Sequence, residues 1–213
     1  GIAARAFAGC LRLIRPGITE VELAAELDYR VRRLGAEGAA FDTIVASGRR
    51  TAFPHASPSA KVLASNEIVL IDMGALRAGY CSDMTRTVFL GAPAARFRRH
   101  YRAVLEAQLA AADAVKEGVS AGAVDRAARK VLQASGLGPA FVHATGHGLG
   151  LEIHEKPRLA RGEKTLLRAG MVITIEPGVY LQKFGGIRIE DTVAVTRNGC
   201  EILTPTSKEL LTI

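Results

Sequence analysis

Tryptophan is absent from the 213-residue chain, and aromatic residues of all kinds make up only 5%. That scarcity removes the stacking platforms on which single-stranded nucleic acids are held. Long apolar runs are missing too. Arg, Glu or Asp interrupts every hydrophobic stretch before the roughly 20 residues a membrane span needs. The opening Gly1-Ile2-Ala3-Ala4-Arg5 has no basic segment leading into an apolar one, so no signal peptide is read there. Cysteine is sparse: Cys10, Cys81 and Cys200 are an odd number at wide spacings. They make neither a disulfide framework nor CxxC pairs, which excludes thiolate metal sites and leads us to expect a reducing, cytoplasmic setting. Neither a P-loop nor a GxSxG elbow occurs. Gly146-His147-Gly148-Leu149-Gly150 is not GxGxxG, and His154-Glu155 does not continue to HExxH because position 158 is Arg.

What is present is an ordinary globular composition, 48% hydrophobic and 23% charged, enough for one domain with a sizeable core or two small ones. Net charge is +7, from 28 Lys and Arg against 21 Asp and Glu. The basic residues are scattered, the densest group being Arg96, Arg98, Arg99 and His100, with His100 expected on a helix surface. Neither a nucleic-acid nor a membrane partner is expected.

Ala3 to Ile14 reads as a helix stopped by Pro16-Gly17. Thr19 with Glu22 is a capping box that opens a second helix ending at Gly35. Phe41–Ser47 is strand-like, and 48–60 is a loop. Strands around Ile68–Ile71 and Thr85–Phe89 are joined by a short connection holding Gly74 and Gly79. A long helix follows from Phe97 to about Val115, with Val104, Leu105, Leu109 and Ala112 expected on its buried face. Another ends at Gly136, and strands near Met171–Ile175 and Ile187–Val195 close the pattern. Gly17-Ile18-Thr19 and Gly118-Val119-Ser120 each precede a helix, and both the starts and the ending glycines are displaced by 101 positions. Each half runs helix, helix, histidine-bearing loop, two strands, which predicts a duplicated unit with a pseudo-symmetric site between the halves.

Four acids sit where strands should be buried. Asp72 follows Ile68-Val69-Leu70-Ile71, and Asp83 precedes Met84-Thr85. A hairpin turning between Arg77 and Ala78 would set them face to face, with Cβ atoms about 5 Å apart. Glu176 and Glu190 repeat the arrangement about Lys183. A single acid in a strand is ordinarily exposed or half of a salt bridge. Four at mirrored positions would repel one another in low dielectric unless protonated or bridged by cations. Together they form a cage suited to two divalent ions about 3.5–4 Å apart. Four of the five histidines, His55, His143, His147 and His154, fall in the same segments. The glycines flanking His147 allow close backbone approach and leave its ring free to reach an ion.

These segments resemble the pita-bread metallopeptidases: Val69-Leu70-Ile71-Asp72-Met73-Gly74, Gly79 to Thr87, Gly146 to Glu155, Ile175 to Tyr180 and Gly186 to Asp191. The likeness runs along essentially the whole chain and is nearest to the Xaa-Pro aminopeptidases and Xaa-Pro dipeptidases (prolidases). It implies an α+β pita-bread fold, in which duplicated helix-helix-hairpin halves surround a curved antiparallel sheet. It implies that Asp72 ligates one ion, His147 and Glu176 the other, and that Asp83 and Glu190 bridge both. Every ligand position is filled, unlike in binding-only or creatinase-like relatives. His55, His143 and His154 would surround the substrate, and Arg188 would stand behind the ligands.

The expected activity is hydrolysis of the amino-terminal Xaa-Pro bond of dipeptides or short peptides by a water activated between the ions, with Glu176 as proton acceptor, His154 donating to the carbonyl oxygen, His143 orienting the substrate near the scissile bond and His55 meeting the proline side or the substrate carboxylate. An oxygen-rich donor set with one imidazole favours Mn2+, with Co2+, Zn2+ and Fe2+ as alternatives. Methionine aminopeptidase is the competing activity, and a non-catalytic interaction module on the same fold the competing class. Relatives of this kind carry an amino-terminal domain ahead of the catalytic unit. The expectation here is a catalytic domain over 1–213 without it, Gly1 falling inside the family's first catalytic-domain helix, with a homodimer as the assembly the relatives suggest.

Overall fold

The computed structural model describes residues 1–213. Its elements run α1 (Ile2–Cys10), α2 (Glu20–Arg33), β1 (Gly38–Ala39), β2 (Ile44–Ser47), β3 (Glu67–Met73), β4 (Ala75–Arg77), β5 (Tyr80–Cys81) and β6 (Met84–Leu90), then α3 (Ala95–Asp113) and α4 (Ala121–Ala134). The remainder is strand: β7 (Gly146–Gly148), β8 (Glu155–Leu159), β9 (Val172–Ile175), β10 (Gly178–Leu181), β11 (Gly185–Arg188), β12 (Asp191–Val195) and β13 (Cys200–Ile202). None of the helices is long and apolar enough to cross a membrane.

The capping box at the start of α2 is formed: the Thr19 hydroxyl accepts the Glu22 N–H at 3.1 Å, and the Glu22 carboxylate accepts the Thr19 N–H at 2.8 Å. The two halves superpose in their hydrogen bonding as well as in their order. Helices α2 and α4 are each 14 residues long. Ahead of α2, Gly17 N–H donates to Leu63 and Leu63 N–H donates to Ile18; ahead of α4, Gly118 donates to Leu167 and Leu167 to Val119. Gly17 and Gly118 both have positive φ, at 100° and 82°, the conformation that lets each chain double back into its helix. Antiparallel β2-β3-β6 in the first half matches β7-β9-β12 in the second, which β8 and β13 extend to five strands.

Each half has its own apolar core, and one difference from the sequence pattern lies in α3. Its buried face is Phe97, Tyr101, Val104, Gln108 and Ala111, whereas Leu109 is 44% exposed and Leu105 and Ala112 are only partly covered. In so alanine-rich a helix the apolar stripe is ill-defined, and Gln108 turns inward because its amide donates to the buried Asp191 carboxylate at 3.1 Å.

The first hairpin is also offset from the expected register. Ala78 and Gly79, both with positive φ, form the two-residue turn, so Arg77 pairs with Tyr80, Met73 with Met84 and Asp72 with Thr85. Asp83 therefore stands diagonal to Asp72 instead of directly across from it. The second hairpin has the expected register. Ile175 pairs with Asp191 on one side and Gly178 with Arg188 on the other, which leaves Glu176 opposite Glu190 in the gap between two ladders.

Candidate metal centre

The interrupted hairpins bring their acids to one cavity of about 540 Å³. Asp72, Asp83, His147, Glu176 and Glu190 all line it, with His55, His143, His154 and Arg188 beside them. Every sequence-predicted site residue is thus in one place. His100 is elsewhere, half-buried and edge-on to the Phe184 ring rather than free on the surface.

His147 is fixed by its neighbours. A Cβ on Gly146 would strike the Thr174 carbonyl and one on Gly148 the Lys156 carbonyl, so only glycine allows strand β7 to lie this close to its partners. The ring Nδ1 lies 2.9 Å from the Gly148 carbonyl, which can only accept, so Nδ1 carries the hydrogen. Burial pushes the His147 pKa down and keeps the ring neutral. Its Nε2 lone pair then faces Asp83 Oδ2 at 3.7 Å and Glu176 Oε1 at 3.4 Å. Three atoms of metal-ligand type thus converge on one point.

The carboxylates are equally short of partners. Thr85 Oγ1 donates to Glu190 Oε2 at 2.6 Å, and Arg188 donates to Asp72 Oδ2 at 2.7 Å. The second oxygens, Glu190 Oε1 and Asp72 Oδ1, are buried with no partner at all. Burial and the neighbouring carboxylates push the Asp83 and Glu190 pKa values well up, and burial pushes Glu176 up to about 7. A divalent cation satisfies unpaired buried carboxylate oxygens and a bare imidazole nitrogen together. Asp83, His147 and Glu190 have ligand atoms within 4.8 Å of one another, close enough to share an ion.

Comparison with known proteins points the same way: residues 1–197 match metallopeptidase family M24. The chain belongs to that family. It is 48% identical over 210 residues to the Xaa-Pro dipeptidase of Pyrococcus furiosus, covering 99% of this chain and 60% of that protein. Among solved structures, the Xaa-Pro dipeptidase from Bacillus anthracis aligns over all of this chain and 60% of its own at a TM-score of 0.98 and 45% identity. The X-Pro aminopeptidase from Thermotoga maritima does so at 0.97 and 43%, again over all of this chain and 60% of its own. The M24 chain described here thus spans about three-fifths of the length of these relatives, and its α+β pita-bread fold is theirs.

Around the ligand-type residues, further groups brace the site. Tyr180 is the clearest. His143 Nδ1 donates to the Ala144 carbonyl at 2.7 Å, and burial pushes its pKa down to about 4, so Nε2 is a bare acceptor. The Tyr180 hydroxyl donates to that nitrogen at 2.8 Å and accepts from Arg188 at 2.8 Å. Arg188 also donates to Thr85 Oγ1 at 3.0 Å and to the Pro54 carbonyl at 3.2 Å, which ties the His55 loop to the acids. In the sequence Tyr180 closes the family-like segment Ile175 to Tyr180, four residues after Glu176, but nothing there assigns it a role.

Proposed function

We propose that this chain hydrolyses the amino-terminal Xaa-Pro bond of dipeptides and short peptides at a pair of divalent metal ions, with Mn2+ preferred. One observation carries the reading: five ligand-type side chains in a single cavity, with a bare imidazole nitrogen and two unpartnered carboxylate oxygens among them. Asp72 would hold one ion, His147 and Glu176 the other, and Asp83 and Glu190 would reach both. Bound there, the ions supply the Lewis acidity that makes water nucleophilic near neutral pH.

The remaining chemistry belongs to the side chains. Glu176, whose Oε1 accepts from Thr174 Oγ1 at 3.3 Å, takes the proton from the attacking water and passes it to the leaving nitrogen. His154, its ring 4.4 Å from that of His147, donates to the carbonyl oxygen as charge grows on it. His143 has both nitrogens engaged within the protein, so it orients the substrate as a fixed wall. Phe41, Ile44, Pro54 and Ile153 give the cavity apolar lining for a proline ring, while Lys156 and Arg158 make up its cationic side and His55 lines it too. A proline nitrogen carries no hydrogen, so apolar contact rather than hydrogen bonding to that nitrogen selects it. The cationic side suits the free carboxylate of a short substrate and favours the dipeptide.

The direct experiment compares an Xaa-Pro dipeptide, an Xaa-Pro-Xaa tripeptide and a Met-Ala peptide as substrates of the chain with and without added Mn2+. Metal-dependent cleavage should be fastest on the dipeptide. Preference for Met-Ala would make the chain a methionine aminopeptidase, and no cleavage of any peptide with metal present would leave a non-catalytic module.

A further inference from the structure

The first residue of α2 is the acid Glu20, fully buried far from any motif of the reaction. Its Oε1 accepts from the Ser47 N–H at 2.7 Å and the Ser47 hydroxyl at 2.9 Å. Its Oε2 accepts from the Ser59 N–H at 3.1 Å, the Ser59 hydroxyl at 2.7 Å and Arg50 Nε at 3.0 Å. One carboxylate thus closes both ends of the segment from Ser47 to Ser59. Arg50 extends the clasp by donating to the Ser57 carbonyl at 2.6 Å. At the far side Thr51 Oγ1 accepts the Gly186 N–H at 2.7 Å, where a Cβ on Gly186 would strike the Thr51 carbonyl. His55 is the exposed residue this loop delivers to the cavity.

We propose that Glu20 is a positioning residue, whose buried carboxylate clasps the loop 47–59 and so sets His55 at the substrate. The inference rests on the reading of the cavity as a peptidase site. The second half holds its own histidine loop in the same manner with an unrelated residue. Asp125 of α4 accepts from the Thr145 N–H and hydroxyl, at 3.3 and 2.9 Å, and from Arg129 Nε at 2.7 Å. Arg129 in turn donates to the carbonyls of Phe141 and His143. Ala121 occupies the place in α4 that Glu20 has in α2, so the duplication did not simply copy the clasp.

The chemistry of the clasp needs two acceptor oxygens. An amide in place of the carboxylate turns one of them into a donor aimed at other donors, and one end of the loop comes free. Aspartate keeps both oxygens at a shorter reach. Loosening the loop alters how substrate is held while the acids stay in place, so the defect should fall on KM.

The test is a double-mutant cycle of Glu20→Gln and His55→Ala in the Mn2+-loaded chain, with dipeptide kinetics and amide hydrogen exchange read together. Glu20→Gln should raise exchange at Ser47 or Ser59 and raise KM about tenfold, with kcat changed less than about threefold. Added to His55→Ala, it should cost nothing further, and Glu20→Asp should recover part of the loss. Additive losses, or an unchanged KM with faster exchange, would overturn the proposal. Should Glu20→Gln fail to fold, Ser59→Ala frees the far end alone and must shift exchange and KM the same way. A wild-type chain inactive on every peptide overturns the peptidase reading, and the clasp is then decided by exchange alone: no change at Ser47 and Ser59 in Glu20→Gln refutes it.

Discussion

Arg188 and Asp72 come from opposite halves of the chain and meet at 2.7 Å, which occupies Oδ2 of the carboxylate and leaves Oδ1 buried without a partner. Glu190 mirrors this with the halves exchanged, Oε2 held by Thr85 and Oε1 left over. Each acid is oriented by the other half of the duplication and keeps one oxygen in reserve. This crosswise bracing holds both carboxylates in place and would fix their geometry for a metal ion.

Replacing Arg188 with Met should therefore weaken Mn2+ binding about 10- to 100-fold, measured by titration calorimetry. It also leaves Asp72, Tyr180 and the Pro54 carbonyl without their buried donor, so urea unfolding should show a loss of about 3 kcal/mol or more.

Asp83→Asn should separate stability from function. Burial first, then Glu190, Asp72 and Glu176, makes ionised Asp83 unfavourable in the metal-free chain. A neutral amide removes that cost, so melting in chelator at pH 8 should rise, equivalent to about 1–3 kcal/mol. Metal-dependent turnover should be abolished. A variant that keeps full turnover would remove Asp83 from the site.

Metal binding should release protons. The Glu176 carboxyl is raised from 4.5 to about 7, and Asp83 and Glu190 are raised as well, so the metal-free fold holds protons that the unfolded chain has already lost. On that account these groups stabilise the metal-free fold below their unfolded pKa values and lose that contribution as pH climbs through their raised folded values, about 7 for Glu176. Buried His143 works in the opposite direction, its stabilising contribution being lost as pH falls toward about 4, but it acts with and without metal and cancels in the difference. The melting temperature with Mn2+ minus that with chelator should widen steadily as pH rises from about 5 to 8.

Tyr180→Phe removes the hydroxyl shared by His143 and Arg188. Metal stoichiometry should hold while kcat/KM falls about 10- to 100-fold, because a loosened His143 no longer orients the substrate. Unchanged kinetics would show that His143 needs no support from this hydroxyl.

Much of this architecture was legible in local chemistry. Thr19 and Glu22 announce a helix start wherever they stand three apart before an apolar stripe, and the paired glycines marked both halves. Lys183 was a correct centre for the second hairpin because Glu176 and Glu190 fall opposite each other across its loop. The first hairpin departs from its expected register because Ala78 adopts a positive φ without the Asn or Asp that normally signals such a turn. Tyr180 and Thr85 stand inside family-like segments, but their roles, like that of Glu20, exist only through contacts between distant segments, and no spacing along the chain encodes those.

The most direct test of the metal centre is anomalous diffraction at the manganese edge from crystals of this chain soaked in Mn2+. Two peaks should appear, both within coordination distance of Asp83 and Glu190, with Asp72 beside one and His147 and Glu176 beside the other. A map without peaks among these five residues, in crystals of a chain that nevertheless cleaves Xaa-Pro dipeptides, would contradict the account.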